Sequence, residues 1–167
     1  MTVSELIRTK RAIRQFIDEP LSEEVIRSIL NAGRRAQSSK NTQPWHFIAI
    51  RDRATLRQLA ECGVYAGHLA VAPFAVALIA STADSFDLGQ AAAYLQLAAW
   101  DLGIGSCIAS MWEPEKAKAI LGVPHDQHFD VALSFGYPLP GRELSHPPKP
   151  NELKPFDEVV FWERWGG

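Results

Sequence analysis

The chain has 167 residues, enough for one domain with a sizeable core. With 47% apolar and 22% charged residues it has an ordinary globular composition, and a formal net charge of −2 excludes bulk attraction to nucleic acid or an anionic membrane. Two cysteines give no disulfide framework, no apolar run reaches the length of a membrane span, and the start has no basic and apolar signal pattern, so a reducing, cytoplasmic setting is the expectation.

Thr2-Val3-Ser4-Glu5 has the spacing of a capping box and predicts a short helix carrying Val3, Leu6 and Ile7 on one face. The helix runs into Arg8-Thr9-Lys10-Arg11-Ala12-Ile13-Arg14, where basic residues crowd together. Such a run is either a solvated turn or an anion site. Lys10, Arg11 and Arg14 converge on one phosphate only if the segment bends back on the helix end. Ser22 caps a second helix, whose apolar face carries Val25, Ile26, Ile29, Leu30 and Ala36.

Next comes Ser38-Ser39-Lys40-Asn41-Thr42-Gln43-Pro44-Trp45. The carboxamides of Asn41 and Gln43 each carry a donor and an acceptor, which suits a heterocycle edge that alternates the two. Pro44 biases Gln43 towards an extended backbone. Trp45–Ile50 reads as a strand, Asp52 as the cap of a helix stopped by Gly63, and residues 65–72 as weakly patterned helix. Pro73 opens a strand, 74–80, that is apolar throughout and so buried on both faces.

Asp84-Ser85-Phe86-Asp87 punctuates before the longest helix, residues 88–102, stopped by Gly103. Its many alanines allow close approach of another helix or subunit. Gly103-Ile104-Gly105-Ser106-Cys107 is a small-residue turn into a short strand; because it follows a helix rather than a strand, it is no dinucleotide fingerprint. Pro114 and Gly122 bracket a short helix. Phe129, Val131, Leu133 and Phe135 alternate as a half-buried strand. Residues 139–155 are Pro-rich and irregular, and the chain ends on large apolar residues that need a place to bury, on their own core or on a partner.

His125 and His128 sit in a loop with no third ligand nearby, so no metal site is expected. Cys107 has no histidine at motif spacing and reads as a packing residue, and His46 and His68 read as core or surface. No acid, base or nucleophile stands out, the pattern expected where a cofactor supplies the reactive atoms.

Together these pieces resemble the nitroreductase family of flavin enzymes over nearly the whole chain. Lys10-Arg11-Ala12-Ile13-Arg14-Gln15-Phe16 is similar to its Arg-Arg-Ser-x-Arg-x-Phe element, and Ser38 to Trp45 to its Ser-Ser-x-Asn-x-Gln-Pro-Trp motif. Gly103 to Cys107, Gly136-Tyr137-Pro138 and Lys154 to Val160 add support. The resemblance implies an α+β fold: a mostly antiparallel central sheet flanked by helices, with the C-terminal segment exchanged at a homodimer interface that holds FMN. It implies two-electron transfer from NAD(P)H to a nitroaromatic, quinone or enone by a ping-pong mechanism, with no catalytic side chain. It also implies cofactor contacts from Lys10, Arg11, Arg14, Ser38, Ser39, Asn41, Gln43, the run Ile108, Ala109, Ser110 and Met111, and Lys154 at the phosphate. Ala12 and Leu153 stand where the family has a serine and an arginine, and the chain is short. Those departures favour a second reading, a flavin-binding carrier or sensor without turnover.

Overall fold

Caps start the helices where their side chains can reach the first free amides. In this computed structural model, which describes residues 1–81, 85–141 and 153–166, Thr2 closes a capping box with Glu5 and opens α1, Val3–Thr9. Ser22 Oγ accepts from the Val25 amide at the start of α2, Glu23–Gly33, and Asp52 does the same for Thr55 in α3, Arg53–Ala60. Each such cap contributes about 1 kcal/mol. The longest helix, α4, runs Ser85–Asp101; α5, Pro114–Leu121, has Pro114 in its first turn and ends on Gly122 at φ +66°. A last short helix, α6, spans Phe156–Val159.

Four strands, β1 Trp45–Ile50, β2 Phe74–Ala80, β3 Gly105–Ser110 and β4 His128–Gly136, form one antiparallel sheet in the order β1-β2-β4-β3. The α+β architecture is the expected one. Helices α2 and α4 cover one face around Ile29, Leu78, Leu95 and Leu133; α3 and α5 cover the other around Leu56, Leu59, Ala77 and Phe129. The alanines of α4 do admit a helix: Ala92 and Ala99 are buried in the cluster shared with Ile26 and Ile29 of α2, and on the α2 side a Cβ on Gly33 would lie 2.6 Å from Leu95 Cδ2.

Several expectations need correction. β4 is not half-buried: residues 132–136 are all buried, because the strand lies between β2 and β3 with core on both faces. Its alternation is also broken. The β2 register skips Asp130 between Leu78↔Val131 and Ile79↔Phe129, and this bulge sends Phe129 and Val131 to opposite faces. Residues 65–72 contain only a 3-10 turn, Ala66–Leu69. On α1, Val3 and Ile7 are exposed and only Leu6 is half-buried, against Ile13 and Trp100. Most of the Pro-rich stretch, residues 142–152, and Asp84 lie outside the described residues.

Nothing in α6 is buried, and Leu153, Phe156, Val159, Trp162 and Trp165 are exposed, Trp165 to 89%. The terminal apolar residues thus do not bury on their own core.

Candidate functional site

The basic segment is held along the outer edge of β3. The Ile13 amide donates to the Ser106 carbonyl at 2.9 Å, and Ala12 bridges Ser106 in parallel. This approach requires a glycine at 105, where a Cβ would lie 2.7 Å from Ile13 Cβ. Lys10 is half-buried next to Cys107, and burial lowers its pKa from the ordinary lysine value. Arg14, exposed, lines a cavity of about 230 Å³ with Ala12, Ile13 and Gln15 and lies against the Cys107 thiol. Arg11 turns back instead: Nη1 donates to the carbonyls of Arg8 (3.2 Å) and Lys10 (2.8 Å) at the end of α1, while Nη2 is buried without a partner. Lys10 and Arg14 therefore meet at Cys107, whereas Arg11 is anchored to the helix end with one donor left over.

The second part is the loop before β1. Ser38 Oγ accepts from the Gln43 amide at 2.9 Å, and Gln43 Nε2 donates to Asn41 Oδ1 at 3.2 Å. The two carboxamides are thus tied to each other, with an amide nitrogen of Asn41 and a carbonyl oxygen of Gln43 left to face outward. Three non-glycine residues here have positive φ: Lys40 (51°), Asn41 (56°) and Gln43 (48°). Gln43 is therefore not extended as Pro44 led one to expect. The loop's own hydrogen bonds override the local preference, at a cost of about 1–3 kcal/mol per residue so held. Ser39 offers its amide to Asp87 Oδ2 at 3.0 Å.

The third part is β3, an edge strand. Ile108 and Ser110 face outward, while Ala109 and Met111 point into the core. The strand's far end is clamped: the amides of Trp112 and Glu113 donate to the Cys62 carbonyl at 2.8 and 3.0 Å, and Gly63 approaches so closely that a Cβ would meet Ser110 O at 2.3 Å. Lys154 is exposed on the C-terminal arm, where it lines an open hollow with Leu153, Phe156 and Val159. Among the described residues no hydrogen bond joins Lys154 to the basic segment, or that segment to the 38–43 loop.

Sequence reasoning missed the residues that support this surface. Asp87, read as punctuation, is a buried carboxylate inside α4. His68, set aside as core or surface, is buried, with Nδ1 2.7 Å from Ser134 Oγ and Nε2 without a partner. The Ser134 hydroxyl in turn donates to the Cys107 carbonyl at 3.4 Å. Burial holds the His68 pKa below its ordinary value; nearby Arg14 acts in the same direction and the Ile108 backbone opposes it. The one available signal was a polar residue inside an otherwise small and apolar stretch.

Among the described residues no nucleophile emerges. Burial raises the Cys107 thiol, against the pull of Arg14 and Lys10, and raises Cys62 as well. Among the described residues no three metal-ligating side chains cluster, and His125 pairs with Glu115 at 3.4 Å.

The model of the nitroreductase family matches residues 7–63 and 64–137. An NADH dehydrogenase of Thermus thermophilus is 28% identical over 194 residues, covering 92% of each chain. A protein of Archaeoglobus fulgidus, provisionally named as an NADH dehydrogenase/NAD(P)H nitroreductase, is 35% identical over 145 residues, covering 80% of this chain and 83% of its own. Among solved structures, an FMN-dependent nitroreductase from Clostridium difficile superposes with a TM-score of 0.85 at 26% identity, covering 96% of this chain and 98% of that one. The antiparallel sheet, the basic segment on its edge strand and these matches lead to one conclusion: the chain belongs to the nitroreductase family of oxidoreductases.

Proposed function

We propose that this protein is an FMN-dependent oxidoreductase that passes two electrons from NAD(P)H to a nitroaromatic, quinone or enone in a ping-pong cycle, as a homodimer. The observation that carries the reading is Arg11 Nη2, a buried cationic donor without a partner, beside Lys10 and Arg14. Such a group costs stability unless an anion completes it.

The residues fit the cofactor in kind. Lys10, Arg11 and Arg14 match a phosphate, and each charge-assisted hydrogen bond contributes about 1.5–3 kcal/mol. The linked Asn41–Gln43 pair offers one donor and one acceptor, the complement of a pyrimidine edge. Ser38 shapes that loop through its hydroxyl, Ser39 through its amide. The outward backbone of the run Ile108, Ala109, Ser110 and Met111 lies along an open edge, and Lys154 adds a further phosphate donor from the arm. Ala12 and Leu153 contribute no side-chain donor, so the side-chain contacts to the anion come from the cations of the basic segment and the arm.

When bound, FMN supplies the redox chemistry. Arg14 contributes positive charge at the cavity, which favours the state carrying more negative charge. Strand β3 provides rigid amide dipoles, and the cavity beside residues 12–15 positions what binds there.

A second copy fits the same picture. Among the described residues the 38–43 loop and the basic segment share no hydrogen bond within one protomer, and the arm leaves Phe156, Trp162 and Trp165 without cover. An exchanged arm would bury those rings and bring Lys154 to the partner's phosphate.

The test is direct. The purified protein, or the apoprotein given FMN, should show bound-flavin absorbance and oxidise NAD(P)H with a quinone or nitro acceptor. A colourless protein that takes up no FMN overturns the reading. Flavin bound without turnover identifies a carrier or sensor instead.

A further inference from the structure

The two cations at Cys107, the exposed Ile108 and the buried Ser134 all depend on where β3 lies, and the buried His68 lies against Ser134. Ser134 Oγ lies 2.7 Å from His68 Nδ1 and 3.4 Å from the Cys107 carbonyl, and its single hydroxyl proton can serve only one of them. Assigning that proton to the Cys107 carbonyl satisfies both contacts at once, with the ring donating from Nδ1. In that assignment the imidazole is neutral, the form its burial favours, with its proton on Nδ1, and Nε2 makes no hydrogen bond among the described residues. A leucine at this place in the 3-10 turn would strand no ring nitrogen. A histidine that retains this penalty is placed for the bond it donates.

Resting on the flavin reading above, we propose that His68 is a positioning residue for the cofactor site. Through Ser134 it fixes the Cys107–Ile108 peptide of β3, and with it the backbone edge and the thiol wall against which Lys10 and Arg14 pack. The geometry is a three-member chain that crosses from the 3-10 turn through β4 to β3: Nδ1–H to Ser134 Oγ, Ser134 O–H to Cys107 O. β3 is an edge strand, paired on one side by β4, met on the other at Ser106 by residues 12 and 13, and clamped past its far end by the Cys62 carbonyl, so His68 and Ser134 act on the stretch between these two holds, at Cys107. Neutrality matters as well, since a charged ring would repel Arg14.

The experiment uses the full chain with His68→Leu, His68→Asn, Ser134→Ala and the Leu/Ala double variant. The amide nitrogen of asparagine can occupy the Nδ1 position and donate to Ser134. Two readouts are taken: amide hydrogen exchange of residues 107–111 without flavin, and the FMN dissociation constant from quenching of flavin fluorescence. His68→Leu and Ser134→Ala should each speed exchange in β3 and weaken FMN about tenfold, the double variant should be no worse than either single one, and His68→Asn should recover most of both effects. Unchanged β3 exchange in folded His68→Leu, or fully additive losses in the double variant, overturns the proposal. A wild type that binds no FMN defeats the flavin reading instead, while the exchange data still decide the role of His68. Should His68→Leu fail to fold, Ser134→Ala against His68→Asn decides the same question: faster β3 exchange in the first and near-wild-type exchange in the second support the chain, and equal exchange in both overturns it.

Discussion

Asp87 Oδ2 accepts the Ser39 amide at 3.0 Å, so the first turn of α4 holds the carboxamide loop from 48 residues away. The loop carries three residues at positive φ, and a long-range anchor of this kind is what such a backbone needs to persist.

Asp87→Ala should therefore destabilise the fold by about 1–3 kcal/mol, the cost of losing a hydrogen bond to a charged, buried acceptor, and weaken FMN by loosening Asn41 and Gln43. Asp87→Asn keeps an acceptor and should retain most of both. Thermal melts with flavin titration check this, and equal behaviour of the two variants would show that the anchor does not matter.

Gly63→Ala places a methyl group 2.3 Å from the Ser110 carbonyl, a backbone atom that cannot swing aside. We expect a loss of about 1–3 kcal/mol in urea unfolding and weaker FMN binding, because the far end of β3 must move. Gly67→Ala, where an added Cβ meets nothing within 4 Å, is the control and should change little.

His68 predicts a pH dependence with a definite sign. Its pKa in the folded protein lies below the ordinary 6.5, so between those two values the unfolded chain binds more protons. Its contribution to stability is complete above about pH 6.5 and is lost as pH falls through that value towards the folded pKa. Stability measured by denaturant from about pH 7.5 to 5 should fall for the wild type and fall less for His68→Asn. Parallel curves would place the proton uptake elsewhere.

The arm predicts an assembly. With Trp162 and Trp165 exposed and Phe161 packed at a tilt against Trp165 with a ring separation of 4.8 Å, Trp162→Ala with Trp165→Ala should shift a dimer towards monomer and weaken FMN together. Light scattering and flavin titration report the two effects. Unchanged mass and affinity would remove the arm from the interface.

Features set by neighbours along the chain were legible before any fold was known. Thr2, Ser22 and Asp52 announced their helices, because a cap bonds an amide two or three residues on. The unbroken apolar run of β2 announced a central strand, and the motifs around Arg11 and Asn41 pointed to the family. Contacts between distant segments settled what remained. They turned Gln43 to positive φ against the bias of Pro44, bulged β4 at Asp130 so that Phe129 and Val131 part company, and sent Arg11 back to α1 while Lys10 and Arg14 met at Cys107. They also set Asp87 and His68 behind the site. Their partners, Ser39 and Ser134, lie 48 and 66 residues distant, and no local pattern encodes a hydrogen bond that forms only once the core has packed around it.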